Sequence, residues 1–373
     1  MRVKLGDIFE IGSGGTPSKS HPEYYDGDIP WVKTGDLKSE YLYEVEDFIT
    51  EDGLKNSSAK LYETDTVLIA MYGATIGATS ILKMSACTNQ ACAAFKKNDK
   101  VIPEYLYYFL KSQKEKFVKD GVGGAQPNIS AGYLKKVEME LPSLEEQKAI
   151  VDILDKTSNV VCKRNEEIQS LDELIKARFV ELFGLPVSNT KGWKTEQMGE
   201  VAPAVNYKGE FDDEIWLLNL DMVEAQTGRI LDYLVVSEEE VGNSTCTFDT
   251  SNVLYSKLRP YLNKVVIPDR CGYATSELVP LQPVKTKINR EYLAFMLRSD
   301  EFVNMINEKV AGAKMPRVPM GDFRKFDVPV PPMELQEQFA DFVNQVDKSK
   351  VAVQKALEET QLLFDSLMQK YFG

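Results

Sequence analysis

Apolar residues recur along two stretches of the chain in alternating steps of four and three. In Pro142–Gly184 the row runs Ile150, Leu154, Thr157, Val161, Arg164, Ile168, Leu171, Ile175, Arg178 and Leu182. In Pro331–Gly373 it returns as Phe339, Val343, Val346, Lys350, Val353, Leu357, Thr360, Phe364, Leu367 and Tyr371, each position shifted by 189 with no residue gained or lost. This spacing, about 3.5 residues, is that of a coiled-coil seam. Arg164 and Lys350 are expected to lay apolar stems along it with their charges in water. Both stretches open on P-x-[L/M]-E-x-Q and close on Phe-Gly. Ser143 and Glu146 make a capping box at the first start, Glu145 and Glu146 suit the positive helix end, and Gly184 is a left-handed terminator. Pro332 stands where Ser143 stood, so the second start must be capped differently. The pattern predicts two long helices of equal length, each a rod of roughly 60 Å, that pair with one another.

Outside these stretches the pattern changes to short β-branched and aromatic runs between turn residues. Ile29–Val32 and Thr66–Ala70 read as strands, and Pro103–Lys119 reads as a helix with proline in its first turn. GVGGAQPNIS then reads as a loop, and GSGG at Gly12–Gly15 as a turn. The same succession recurs further on. Trp31 and Asp36 reappear as Trp216 and Asp221 at an offset of 185, and Val67-Leu68 as Val253-Leu254 at 186. Tyr105-Leu106 returns as Tyr292-Leu293 at 187, and Pro127 as Pro316 at 189. KLGDI near the start is echoed by QMGEV at Gln197–Val201. Creeping offsets mean small loop insertions on one framework.

The predicted fold class is therefore α+β: two similar globular domains, 1–141 and 185–330, alternating with long helices at 142–184 and 331–373. Framework positions persist between the copies while loops diverge. Met71-Tyr72-Gly73-Ala74-Thr75 becomes Lys257-Leu258-Arg259-Pro260-Tyr261, and Gln126 and Asn128 become Met315 and Arg317. A scaffold kept while its loops change is how one fold binds two different targets.

Composition narrows the function. The 373 residues suffice for two cores, and 44 Lys+Arg against 57 Asp+Glu give a net charge of −13. Taken alone, that acidity argues against nucleic-acid binding, although a local basic face remains compatible with it. Five cysteines, odd in number and without a C-x-x-C pair, read as reduced thiols. With neither an apolar leader nor a membrane-length apolar run, the expectation is a cytoplasmic protein without membrane contact.

Catalytic signatures are missing. The single His21 has no partner histidine, which removes most acid–base, triad and histidine-rich metal schemes. There is no G-x-S-x-G elbow, Walker loop or Asn/Asp-Pro-Pro-aromatic run. Glu146-Gln147-Lys148 has the spacing of half a nuclease motif, but capping already accounts for Glu146. No catalytic and no metal-binding residues are assigned. What remains is binding. Lys257, Arg259, Lys264, Lys314 and Arg317 in the second domain suit phosphates and guanine edges, and Gln126 and Asn128 in the first carry the donor–acceptor pair that adenine needs. Lys33, Thr34, Tyr72 and Thr75 complete the candidate DNA contacts.

These residues also carry a resemblance. GGTPS, Y-x-G-x-IPWVKTGDL, VLIAMYGATIG, GGAQPNIS and LPSLEEQKAIVDILD, followed by SNVLYSKLRPYLNK, AGAKMPRV and VPVPPMELQEQ, resemble the specificity subunit of type I restriction-modification systems over essentially the whole chain. The resemblance implies two target-recognition domains, each reading half of a bipartite double-stranded DNA site, joined by the two helices as an antiparallel coiled coil that acts as a ruler and makes the whole pseudo-twofold symmetric. It implies two methyltransferase subunits that carry S-adenosylmethionine, and restriction subunits that use ATP and Mg; this chain itself holds no cofactor and performs no catalysis. The motifs quoted are framework and do not specify the target sequence. Two other readings stay open: a coiled-coil scaffold with two domains for non-DNA ligands, and a specificity subunit of a related defence methylation system. A nuclease or methyltransferase acting alone is a third, and the absent motifs argue against it.

Overall fold

The structure, a computed structural model, describes residues 1–121, 128–211, 215–310 and 314–373. The chain divides into two compact units, Met1–Arg164 with Ala356–Gly373, and Asn165–Lys355. Both long helices are continuous, Leu144–Phe183 and Met333–Phe372, 40 residues each. Each therefore begins in one unit and ends in the other.

In the first unit, strands Val67–Ala70, Cys92–Phe95 and Thr79–Leu82 are buried at every position. Successive strand residues face opposite ways, so one strand serves two cores. Val67 and Ile69 join the core beneath the helix Pro103–Ser112, while Leu68 and Ala70 join a second cluster with Val32, Leu42 and Leu82. The five-stranded sheet runs Ile11–Ser13, Cys92–Phe95, Val67–Ala70, Thr79–Leu82, Tyr41–Leu42. A four-stranded sheet runs Phe48–Ile49, Tyr25–Val32, Ala86–Thr88, Leu61–Tyr62. A short antiparallel pair, Arg2–Lys4 with Glu138–Glu140, ties the beginning of the domain to the residues just ahead of the long helix.

The second unit repeats this plan. Val253 and Tyr255 face one core, and Leu254 faces the other. The antiparallel pair recurs as Thr195–Gln197 with Asp327–Pro329. Register repeats as well: Val32 pairs in parallel with Thr88, and Leu217 with Tyr273, both residues shifted by 185. Tyr105 Oη donates to the Glu140 carbonyl at 3.1 Å, and Tyr292 Oη to that of Pro329 at 2.9 Å.

Every seam position named above is buried or half-buried in both helices. In the first unit Val151 and Leu154, near the start of the first helix, share a core with Phe364, Met368 and Phe372 at the end of the second. In the second unit Ile175, Phe179 and Phe183 share one with Phe339, Val343 and Val346. Start meets end each time, so the helices are antiparallel. The capping box forms, with Ser143 N–H and Oγ–H both donating to Glu146 Oε2 at 2.8 Å. At the second start the backbone of Pro332 serves instead, accepting from Leu335 N–H at 3.1 Å. Gly184 ends the first helix at φ +76.

The glutamine of P-x-[L/M]-E-x-Q is fully buried in both copies. Gln147 Nε2 donates to the carbonyls of Lys100 (2.9 Å) and Pro142 (3.0 Å), and its Oε1 accepts from Ile102 N–H at 2.9 Å. Gln336 does the same with Lys287 (3.0 Å), Pro331 (2.8 Å) and Asn289 N–H (2.9 Å). The amide staples each helix start to the turn ahead of its domain's aromatic helix. The spacing that suggested half a nuclease motif is thus accounted for by packing.

Three expectations need correction. Lys350 does not leave its charge to water alone: its Nζ forms a partly exposed ion pair with Asp172 Oδ1 at 2.5 Å within the second unit. The expected helix Pro103–Lys119 breaks at Gln113 into Pro103–Ser112 and Lys114–Asp120. There Gln113 Nε2 donates at 3.3 Å to the Phe372 carbonyl, one of the orphan acceptors at the end of the second long helix. GSGG is more than a turn: Ile11–Ser13 is a strand, and a Cβ on Gly14 would lie 1.9 Å from the Thr88 carbonyl oxygen, so glycine is required by close packing. No helix among the described residues is long and apolar enough to cross a membrane.

Candidate nucleic-acid interface

Strand ends and loops converge at one edge of each unit, and the backbone shows how. In the first unit, Val67–Ala70 runs out into Met71 and Tyr72, where Tyr72 bridges to Asn128 and Ile129 N–H donates to the Met71 carbonyl at 3.0 Å. Gly73 at φ +66 lets the chain turn back, and Thr75 Oγ1 donates to the Tyr72 carbonyl at 3.1 Å. Tyr72, Thr75 and Asn128 are thereby brought into one strip. On the strip's far side lies Asn89–Ala91, fixed by Met71 N–H to the Ala91 carbonyl (2.8 Å) and Asn89 N–H to the Val32 carbonyl (2.9 Å). Lys33 and Thr34 follow directly from Val32, so they flank the same loop. Gln126 lies outside the described residues.

Lys33 is already engaged. Its Nζ pairs with Asp47 at 2.5 Å and sits 5.3 Å from the centre of the Trp31 ring, while its N–H donates to Asp36 Oδ2 at 2.7 Å. The Trp–Asp pair common to both domains is thus a support for this turn. Thr34 opens the short 3-10 turn Thr34–Asp36 and is half-buried.

In the second unit the same bridge joins Leu258 to Arg317. Arg259 N–H donates to the Pro316 carbonyl at 2.8 Å, Val318 N–H to that of Lys257 at 2.9 Å, and Lys257 N–H to that of Glu277 at 3.0 Å. Arg259 holds a left-handed conformation, φ +49, and its side chain is exposed, as is that of Lys314. Lys257, Arg259 and Arg317 therefore share a strip. Lys264 points inward: its Nζ donates to the Leu220 carbonyl at 2.6 Å, and burial lowers the pKa of its ammonium group. It ties the turn after Ile215–Leu218 to the strand Val253–Ser256, whose Ser256 N–H donates to the Lys264 carbonyl at 3.0 Å.

Three features of this edge escaped the sequence reading. Gln90 is exposed in the Asn89–Ala91 loop and accepts a hydrogen bond from the Thr16 hydroxyl. Glu277, in the corresponding loop of the second unit, forms an ion pair with Arg317. Exposed basic pairs, Lys135-Lys136 and Arg324-Lys325, stand at the same place in the two copies, 189 residues apart, each at the end of the helical turn that follows the strip. Near the first pair, the helix Lys114–Asp120 carries exposed Lys114, Lys116 and Lys119 beside exposed Glu115 and Asp120; its Lys114 side chain packs on Gly77, and Tyr133 Oη donates to Asp120 at 2.6 Å. The 189 offset was the signal available for the two basic pairs. Chemically, the first strip is neutral and rich in hydroxyl and amide groups, and the second is cationic. Among the described residues no group of three or more His, Cys, Asp or Glu side chains is placed to hold a metal ion.

Comparison with known proteins gives this arrangement a family. The family model for the type I restriction modification DNA specificity domain matches the chain twice, at residues 1–173 and 191–361. The type I restriction enzyme MjaIX specificity subunit of Methanocaldococcus jannaschii is 27% identical over 409 aligned positions, covering 98% of this chain and 91% of the relative. The EcoDI specificity subunit of Escherichia coli is 22% identical over 417, covering 99% and 87%. Among solved structures, the type I restriction-modification S subunit from M. genitalium aligns at a TM-score of 0.55 with 17% identity, covering 100% of this chain and 96% of its own. A chain from a structure describing complex assembly and conformational transition of a type I system aligns at 0.61 with 16% identity, covering 100% and 97%. Matched twice by one domain model and alignable end to end with these subunits, the chain belongs to the type I restriction-modification specificity family, as a non-catalytic specificity subunit.

Proposed function

We propose that this chain is the DNA-recognition subunit of a type I restriction-modification complex, in which each domain reads one half of a bipartite site. The antiparallel helices set the distance between the half-sites and dock two methyltransferase subunits. Those subunits bind S-adenosylmethionine and modify adenine, and restriction subunits supply ATP- and Mg-dependent cleavage. The observation that carries this reading is the pair of loop strips. One framework presents Tyr72, Thr75 and Asn128 in one unit and Lys257, Arg259 and Arg317 in the other. Dissimilar donors and acceptors on one scaffold suit two different base sequences.

The exposed basic pairs and the lysines around Gly77 supply local positive charge in an acidic chain, where phosphates would be held. Mapping methylated adenines in the host genome with and without this gene tests the proposal directly. A bipartite motif that vanishes with the gene is expected. Exchanging the Lys257–Lys264 loop should then alter one half of that motif and leave the other half intact. Both halves changing together would overturn the division of labour.

A further inference from the structure

We propose that Arg317 reads a guanine in the half-site served by the second unit, and that Glu277 is the positioning residue that aims it. This rests on the DNA-recognition reading above and adds the base. The backbone under Arg317 is tied on both sides: Leu258 bridges it, Val318 N–H reaches the Lys257 carbonyl at 2.9 Å, and Lys257 N–H reaches that of Glu277 at 3.0 Å. Three chain segments are thereby locked together, and the two charged side chains rise from this locked patch.

Among the described residues the guanidinium is held along one edge only. Nε donates to Oε1 and Oε2 of Glu277, both at 3.3 Å, and Nη2 donates to Oε1 at 3.1 Å. An arginine has five N–H donors. This pairing uses the Nε–H and one Nη2–H, leaving both Nη1–H groups and the second Nη2–H. Those remaining donors form a planar fork, the shape that meets O6 and N7 of guanine together. Adenine would offer N7 beside an N6 amino group, setting donor against donor. Arg317 is 48% exposed and Glu277 22%, so the fork faces outward while its support is more enclosed.

Glu277 also separates base reading from phosphate binding. A carboxylate beside the guanidinium cancels its long-range pull on the backbone and leaves its short-range geometry intact. The side chain is ordered before DNA arrives, so docking does not have to order it. The equivalent positions of the first unit hold a different pair: Asn128 stands in the place of Arg317 and Ala91 in that of Glu277. An Asn–Ala pair cannot form this device, so these positions make it a property of the second half-site.

The test uses the complex of this chain with its methyltransferase subunits. The methylated motif is mapped for the natural protein, for Arg317→Gln and for Glu277→Gln. We expect a single G·C pair in one half-site to become degenerate in Arg317→Gln, with the other half unchanged. Glu277→Gln should relax the same pair to a smaller degree, and Glu277→Asp should restore it in part, which a purely structural role would not do. In a second measurement, 7-deazaguanine at that position should weaken binding of the natural complex by roughly five- to 150-fold. It should leave binding by Arg317→Gln unchanged. Should Arg317→Gln fail to fold, Glu277→Gln picks out the pair instead, and a response to 7-deazaguanine smaller in Glu277→Gln than in the natural complex decides. An unaltered motif in the variants, or an affinity loss equal for all sequences with a shallower salt dependence, would overturn the assignment while leaving the bipartite reading standing. A natural complex that methylates no bipartite motif would overturn both.

Discussion

Gln147 and Gln336 each satisfy two carbonyls and one amide in a fully buried position. Replacing either with leucine keeps the bulk and strands those three backbone groups without water. We expect about 2–4 kcal/mol of destabilisation in each case, measured by denaturant unfolding. A loss below about 0.5 kcal/mol would mean that water had taken the amide's place. The P-x-[L/M]-E-x-Q motif was visible in the sequence, but its purpose was not, because Gln147 acts on Lys100 and Ile102, in a turn with no motif of its own. Glu40 makes a second, pH-dependent case. Among the described residues its Oε1 is buried without a hydrogen-bond partner, and burial, with Asp155 and Glu104 nearby, raises its pKa. Asp155 is shifted the same way by burial, although Tyr108 Oη donates to it at 2.7 Å. A carboxylate raised in the folded state takes up its proton there before the unfolded chain does, so its penalty is full at neutral pH and fades on acidification. Glu40→Gln should therefore melt at a higher temperature than the natural protein at pH 7, with the gap closing towards pH 4. A gap that stays constant across that range would show that Glu40 is not the cause.

The long helices were legible because one period, mostly apolar, runs through the whole of each, and their burial follows that period. The break at Gln113 was not, since its partner, the Phe372 carbonyl, lies 259 residues away in sequence. The same holds for the recognition edge. Offsets between the copies located the strips, but the pairing of Arg317 with Glu277, 40 residues apart, depends on a strand register that the sequence does not display. Phe339 shows where packing in the second unit is concentrated. Its ring lies 5.4 Å from that of Phe179, 5.5 Å from Phe183 and 5.3 Å from Phe295. Phe339→Ala should cost about 3–5 kcal/mol, read from the denaturant midpoint at unchanged slope. A cost under about 1 kcal/mol would mean that the surrounding rings collapse into the space.

For the chain as a whole, the net charge of −13 counts less than where the exposed lysines and arginines lie. Removing Lys135 and Lys136 together, in complex with the methyltransferase subunits, should weaken binding to all duplexes alike. The slope of log affinity against log salt should become shallower by roughly one for each phosphate that is no longer neutralised. Salt titrations on target and random duplexes check this, and a change confined to the target sequence would contradict it. The same variants of Arg324 and Lys325 probe the second unit.

The interleaved chain also sets a schedule for biosynthesis. Residues 1–164 emerge from the ribosome well before Ala356–Gly373, the segment that completes their unit. At about 5–20 residues per second, translating the intervening stretch takes roughly 10–40 s. Throughout that interval the faces of Tyr105, Tyr108 and Phe109 that later meet Phe364 and Phe372 have no cover. The nascent first domain thus waits, sticky and unfinished, for its own distant tail. A message broken anywhere before that tail yields a product with an exposed aromatic face, open to chaperones and proteases rather than to assembly.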